Sequence, residues 1–216
     1  MIRMIHGHQR GAHVSDIDAM HRIRKKVFHE RMKWEVPVIR HWEVDGFDAL
    51  DPLYLLAMSD QGRVVGGLRL LPTMGPNMLN DVFSVLLPEG RPVESPLIWE
   101  SSRFSVDHES DVPVGPKGIG RATAELGLAM NEIGLATGLS HIVTVYDALM
   151  HRMLRRAGCA GDPIAEPQRI GSVLCYAVFF EIGESTERAL RDASGIKGSV
   201  LEANRSPLEM PIARVA

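Results

Sequence analysis

The stretch that decides the fold is Leu53-Tyr-Leu-Leu-Ala-Met58, with the turn Asp60-Gln-Gly62 and the run Val64-Val-Gly-Gly-Leu-Arg-Leu-Leu71. Two apolar runs joined by a short glycine-containing turn predict a β-hairpin. Further elements follow the same patterns, with strands at 97–106, 141–146 and 173–182 and helices at 16–32, 119–138, 149–157 and 185–193. Strands that first form hairpins and later alternate with helices predict an α/β fold, a mixed twisted sheet with helices on both faces.

The composition is that of an ordinary globular protein. The 216 residues are expected to form one domain over 1–216, with a loosely packed tail beyond about residue 195. A net charge of −3 does not favour nucleic acid as a partner. No apolar run has the length of a membrane span, and the N-terminus lacks the apolar stretch of a signal peptide. Two cysteines without metal-ligand spacing fit a reduced, cytoplasmic chain, and the missing apolar run predicts no membrane partner.

Charged residues interrupt two of the predicted strands. Arg69 lies within the second strand of the hairpin, and Glu100 and Arg103 lie within the strand at 97–106. Charges inside apolar strands are costly unless they are paired or used. Three acids within residues 43–48 could supply the opposite charge. These segments together predict one shared polar cleft.

The residues alone leave the role of these charges open. Glu43, Asp45 and Asp48 are either a solvated loop cluster or carboxylates that bind a cation. A planar guanidinium such as that of Arg69 suits a bidentate contact with one of the aspartates. In a regular strand, residues 100 and 102 face one side and residue 103 the other, unless a β-bulge changes the alternation.

Nine residues also carry a family resemblance, which extends over about residues 22–147. In order and approximate spacing they resemble the signature of the LuxI-type acyl-homoserine-lactone synthases. These residues are Arg24, Phe28, Trp34, Asp45, Asp48, Arg69, Phe83, Glu100 and Arg103.

The resemblance implies a fold related to the Gcn5-type N-acetyltransferases and a two-substrate reaction. An acyl thioester is transferred to the α-amine of S-adenosyl-L-methionine, the lactone closes, and 5'-methylthioadenosine leaves. The product would be an N-acyl-L-homoserine lactone quorum-sensing signal. Acyl carrier protein is the expected acyl donor and coenzyme A the alternative. S-adenosyl-L-methionine is a substrate, so neither a cofactor nor a metal is expected.

The resemblance also implies roles for individual residues. Glu100 is expected to be the general base. Thr144 is expected to accompany 3-oxo substrates by hydrogen bonding to their extra carbonyl. The aromatic residues either pack in the core or form walls of the adenosyl site. The expected substrate-binding residues are Arg24, Phe28, Trp34, Glu43, Asp45, Asp48, Arg69, Phe83, Ser102, Arg103, Phe104 and Thr144.

A basic cluster lies in the predicted helix at 149–157. Arg152, Arg155 and Arg156 are either a solvated helix face or a docking site for an acidic carrier protein or the phosphates of coenzyme A. The histidines at 6, 8 and 13 are interpreted as tail residues because no carboxylate or cysteine completes a metal-ligand set.

Two other functions remain open from the residues. An acyl-CoA-dependent N-acyltransferase acting on another amine would use the loop Gly115-Pro-Lys-Gly-Ile-Gly120 before a helix. A non-catalytic ligand-binding domain would use Arg69 and the acids only as structural ion pairs. Release of methylthioadenosine distinguishes the synthase from both.

Overall fold

The structure is a computed structural model, and it describes residues 1–110 and 113–202. The strands are β1 Ile2–His6, β2 Val38–Ile39, β3 Trp42–Glu43, β4 Leu53–Met58, β5 Val64–Pro72, β6 Ile98–Val106, β7 Pro113–Val114, β8 Ile119–Gly120, β9 His141–Asp147, β10 Asp162–Pro163, β11 Gln168–Ile170 and β12 Val173–Glu181. The helices are α1 Val14–Arg24, α2 Met78–Asp81, α3 Arg121–Thr137, α4 Ala148–Ala157 and α5 Glu184–Ser194.

Eight of these strands form one sheet. Its order is β1-β4-β5-β6-β9-β12-β10, and β11 also pairs with β12. Strands β6 and β9 are parallel, and the other neighbours in this sheet are antiparallel. The parallel pair is short, because residues 98–101 of β6 pair with residues 141–144 of β9 and the pairing ends there. The predicted mixed sheet is therefore confirmed, and two of its central strands separate towards their ends.

Strand β4 shows why helices cover both faces of the sheet. All six of its residues are buried. Leu53, Leu55 and Ala57 pack in one hydrophobic cluster with residues of α3, whereas Tyr54 and Leu56 pack in another with Met20 of α1. A strand that is buried on both faces has a continuous apolar sequence rather than an alternating one. The prediction of helices on both faces is confirmed.

The prediction of tail segments at the two ends of the chain is wrong for the residues that the structure describes. Strand β1 pairs with β4, and both Ile2 and Ile5 are fully buried. The Ile2 amide donates to the Val200 carbonyl at 2.7 Å, and the Glu202 amide donates to the Ile2 carbonyl at 3.0 Å. Residues 200–202 are therefore packed against β1, and the rest of the predicted tail, 203–216, lies outside the described residues.

The first long helix has the predicted extent but not the predicted type. Helix α1 begins at Val14, with His13 at the N-cap, instead of at the predicted residue 16. From Lys25–Arg31 the chain continues as a π-helix. We call this part the π-helical segment. Such turns are rare and occur frequently at functional sites, and here the segment contributes Val27 and Phe28 to the wall of a cavity.

No helix within residues 1–110 and 113–202 combines the length and the apolar character that a membrane crossing requires.

Candidate active site

Three arginines and three carboxylates form one buried cluster of ion pairs. The arginines come from α1, β5 and β6, and the acids come from β3 and the loop that follows it. The numbers of positive and negative charges are equal, so the cluster as a whole is neutral. The prediction that opposite charges from separate segments converge is confirmed. The ion-pair cluster consists of Arg24, Arg69, Arg103, Glu43, Asp45 and Asp48.

Asp48 lies at the centre of the ion-pair cluster. Arg24 donates to its two oxygens at 2.8 and 3.0 Å, and Arg69 donates at 3.0 Å. The Tyr54 hydroxyl and the Asp45 amide each donate at 2.9 Å. Burial alone would raise the pKa of Asp48, but Arg24 and Arg69 outweigh it and hold that pKa well below its usual range.

The other two carboxylates are also occupied. Arg69 binds Asp45 in a bidentate manner at 2.5 and 3.1 Å, and Arg103 contacts Asp45 at 2.8 Å. Glu43 accepts from Arg24 at 2.5 Å and from Arg103 at 3.0 Å. A solvated loop cluster, one of the two interpretations open from the sequence, is therefore wrong. Direct binding of a ligand cation by these acids stays a prediction, and it would have to compete with the arginines.

A β-bulge in β6 changes the direction of Arg103. The register with β5 shifts so that Gly67 faces Ser105 and Arg69 faces Ser102. Arg103 has a φ of 56° at this irregularity. The strict alternation expected of a regular strand does not apply here, because the β-bulge named as its exception is present. Glu100 accepts from the Met78 amide, and Arg103 lies 3.3 Å from the Met78 sulfur.

Glu100 is a buried carboxylate that stands outside the ion-pair cluster. Its side chain accepts backbone N–H groups of α2, from Met78 at 3.1 Å and from Leu79 at 2.5 Å. Burial raises its pKa, and these two amides offset the rise only in part. A cavity-lining carboxylate with a raised pKa is suited to accept a proton.

Two cavities meet where β6 and β9 separate. The first, which we call the Glu100 cavity, has a volume of about 310 Å³ and lies among the π-helical segment, β6, β9 and α4. The second, the α3–α5 cavity, has a volume of about 300 Å³ and is bounded by β9, β12, α3 and α5. The residues that line both cavities are Ser101, Phe104, Thr123, Thr144, Val145, Tyr146 and Met150.

Aromatic side chains form one wall of the Glu100 cavity. Phe28 and Trp34 stack with ring centroids 5.6 Å apart, and the Arg103 guanidinium lies 5.4 Å from the centroid of Phe28. Phe83 lines the same cavity. All three aromatic residues line the cavity, and their role as walls of an adenosyl site stays a prediction.

Other predicted residues lie at the shared wall or at the surface. The Thr144 hydroxyl donates to the Ser101 carbonyl at 2.7 Å and lines both cavities. The Ser102 hydroxyl accepts from Arg69 at 3.2 Å. The basic residues Arg152, Arg155 and Arg156 are exposed on α4, away from the ion-pair cluster.

Sequence reasoning missed an aromatic group beside the cavities. The Tyr146 hydroxyl lies 3.2 Å from His151 Nδ1, and the His151 ring stacks on Tyr176 at 4.2 Å. Burial raises the pKa of Tyr146 to about 12. A tyrosine followed five residues later by a histidine is not a sequence motif. The contact between Tyr146 and His151 arises only because the chain turns from β9 into α4.

The mixed sheet with helices on both faces has the fold of an acyl-CoA N-acyltransferase. An acyl-CoA N-acyltransferase from Pseudomonas aeruginosa shares the fold, with a TM-score of 0.52 over 83% of this chain and 97% of that chain at 14% identity. Residues 9–190 match the family described as autoinducer synthase.

Two further comparisons agree with that match. An acyl-homoserine-lactone synthase from Agrobacterium fabrum is 39% identical over 163 residues, which cover 76% of this chain and 77% of the relative. The solved structure of the CoA-dependent acyl-homoserine lactone synthase BjaI with SAM and isopentyl-CoA has a TM-score of 0.78 at 29% identity and covers 94% of this chain and 92% of that chain. The chain belongs to the autoinducer synthase family, and its activity is that of an acyl-homoserine-lactone synthase.

Proposed function

We propose that the Glu100 cavity holds S-adenosyl-L-methionine and that the α3–α5 cavity holds the acyl chain. The observation that carries this proposal is the wall shared by the two cavities, at Ser101 and Thr144, beside a buried carboxylate of raised pKa. The thioester carbonyl would lie at this wall, between the amine of S-adenosyl-L-methionine on one side and the acyl chain on the other. The BjaI structure with both SAM and isopentyl-CoA supports a site for each substrate in a protein of this fold.

The proposed reaction has two steps. The amine nitrogen attacks the thioester carbon and Glu100 accepts a proton from that nitrogen; the carbon–sulfur bond breaks, the sulfur takes up the proton, and the carrier leaves as a thiol. The methionine carboxylate oxygen then attacks its own γ-carbon, which closes the lactone and expels neutral 5'-methylthioadenosine. The second step is intramolecular, so orientation alone can supply much of its rate. Neither step calls for a metal or a cofactor, and both substrates are expected in the cytoplasm.

The ion-pair cluster would position the site rather than react. Arg103 lines the Glu100 cavity and is held by Glu43 and Asp45. Asp45 also binds Arg69, which Asp48 binds as well, and the Arg69 Nε donates to Ser102 beside Glu100. We infer that the aspartates act through the arginines, while the faces of Phe28 and Trp34 receive the adenosyl group and its sulfonium.

The function is tested with purified protein, S-adenosyl-L-methionine and an acyl thioester. We expect acyl-homoserine lactone and 5'-methylthioadenosine in equal amounts, measured by liquid chromatography. An N-acyltransferase acting on another amine would release no methylthioadenosine. A non-catalytic binding domain would also release none, and it would still consume no thioester when other amines are supplied, whereas the N-acyltransferase would.

The donor is proposed to be an acyl carrier protein that docks on α4. Arg152, Arg155 and Arg156 are exposed on the helix that also contributes Leu149 and Met153 to the wall of the Glu100 cavity. A basic surface at the mouth of a cavity attracts an acidic carrier and speeds its association. In the alternative, the phosphates of a coenzyme A thioester would contact the same arginines, but over a smaller surface than a carrier protein would.

Changing all three arginines of α4 to Glu is expected to raise KM for acyl carrier protein thioesters by about tenfold or more at low salt, because rim charges control association. KM for the matching coenzyme A thioester is expected to change less. The control is Arg63, Arg188 and Lys197→Glu, which makes the same charge change at exposed positions elsewhere. An equal rise in KM for both sets of variants would show that net charge, not a docking surface, matters.

Thr144→Val is expected to shift selectivity away from 3-oxoacyl chains. The swap keeps the branched shape and removes a hydroxyl whose net hydrogen bond contributes about 0.5–1.5 kcal/mol, a several-fold change in relative kcat/KM. Because that hydroxyl donates to the Ser101 carbonyl, it must exchange partners to serve the substrate. Competition between acyl and 3-oxoacyl thioesters of equal length measures the ratio, with Thr137→Val in α3 as control. An unchanged ratio would leave Thr144 as a strand residue only.

A further inference from the structure

Asn131 of α3 presents an unpaired hydrogen-bond donor at the α3–α5 cavity. The residue is 1% exposed and lines that cavity. Its Oδ1 accepts the Gly183 amide at 2.9 Å, just before α5. Its Nδ2 is buried and has no hydrogen-bond partner among the residues that the structure describes. Because the Gly183 amide is a donor, the side-chain oxygen must face it, and this determines which end of the amide group is left unpaired.

The surroundings make this donor unusual. Most of the cavity wall is apolar, and buried polar groups in proteins are almost always paired. Two other buried side-chain atoms in the described part of the chain lack a partner, Trp34 Nε1 and Ser105 Oγ, and neither residue lines the α3–α5 cavity. Ligand sites are typically apolar with a few placed polar groups that select the ligand. The apolar wall includes Phe104, Ile119, Met130, Ile142, Leu154 and Leu190.

The position of Asn131 shows which part of a ligand it would meet. The cavity reaches the Glu100 cavity at Ser101 and Thr144, where the thioester is placed in the proposed function. Asn131 is bonded instead to the entrance of α5, whose Ser185 and Thr186 line the same cavity. The unpaired donor therefore lies along the wall formed by α3 and α5, not at the wall where the two cavities meet.

We propose that Asn131 Nδ2 donates a hydrogen bond to an oxygen carried in the distal part of the acyl chain. The enzyme would then select acyl thioesters that bear a keto, hydroxyl or ether oxygen remote from the thioester over plain chains of the same length. This inference rests on the proposed placement of the acyl chain. It is separate from the expected role of Thr144, which concerns an oxygen next to the thioester.

The test is a panel of acyl thioesters of one length in which a single carbonyl is moved along the chain. For the wild-type enzyme we expect kcat/KM, relative to the plain chain, to rise at one distal position. Asn131→Leu removes the donor and should abolish that preference, a change of roughly 2- to 13-fold, which corresponds to the 0.5–1.5 kcal/mol of a typical hydrogen bond.

Two further variants keep the test decisive. Asn131→Asp keeps an oxygen for the Gly183 amide and removes the amide donor, so at alkaline pH it should lose the same preference even if the Leu variant folds poorly. Ser185→Ala is the matched control, because Ser185 lines the same cavity and is expected to leave the preference intact.

Three outcomes would overturn the inference. The wild type could release methylthioadenosine with the plain chain yet favour no distal carbonyl. The Asn131 variants could lose activity equally on every member of the panel, which would indicate a structural role alone. If no thioester releases methylthioadenosine from the wild type, the proposed function fails as well, and this result is distinct from the first two.

Discussion

Replacing Glu100 by Gln is expected to lower kcat by roughly 10²–10⁴-fold, the usual loss for a general base. The fold is expected to remain, because Gln has the same size and its oxygen can still accept one backbone N–H of α2. The other amide then meets an NH₂ group, since Glu100 accepts from both Met78 and Leu79. A modest fall in Tm should accompany the loss of rate, and circular dichroism separates the two effects.

The matched control for this variant is Glu94→Gln, which removes an exposed carboxyl from the loop before β6. It is expected to leave kcat unchanged. Near-normal turnover by a correctly folded Glu100→Gln enzyme would remove Glu100 from the mechanism.

The same carboxyl is expected to set the acid limb of the pH profile. A base works only when it is ionised, so activity is lost as the pH falls through the pKa of Glu100. Burial raises that pKa, so the limb is expected above the ordinary value of about 4.3. Residual activity of the Gln variant should lack this limb when kcat/KM is measured against pH. An identical limb in both enzymes would assign it to another group.

Removing Arg69 from the ion-pair cluster is expected to cost about 3–5 kcal/mol of unfolding free energy, because it leaves buried carboxylates without their partner. The side chain is fully buried and binds Asp45 and Asp48. Arg69→Met keeps most of the volume and deletes the charge. For a chain of this size the loss corresponds to a fall in Tm of roughly 6–20 °C. Thermal and urea unfolding measure it.

The control for Arg69 is an exposed ion pair. Arg91 contacts Glu89 with about three quarters of each side chain exposed, and such pairs contribute about 0–1 kcal/mol. Arg91→Met is therefore expected to change Tm little. Equal effects of the two substitutions would mean that the ion-pair cluster is not a stabilising feature of the folded state.

Local sequence patterns determined much of the architecture. The hairpin at residues 53–71 and the helix α3 were predictable because apolar runs, turn residues and the glycine that ends α3 act within a few positions of the chain. The meeting of Arg69 with acids was predictable for an energetic reason, since a buried charge needs a partner. The nine-residue resemblance identified the family, and the comparisons confirmed it.

Tertiary structure alone decided the geometry of the site. The β-bulge directs Arg103 towards Glu43, and the resulting ion pair links two residues 60 positions apart in the chain. No local sequence pattern predicts such a contact. Strand β1 likewise forms only because it pairs with β4, which lies about 50 residues later in the chain. The short sequence of β1 by itself therefore resembles a tail. The periodicity of apolar residues along the sequence indicates which side chains are buried, but not which side chains they contact. The occupied carboxylates and the unpaired amide of Asn131 follow from packing between elements, which only the folded chain contains.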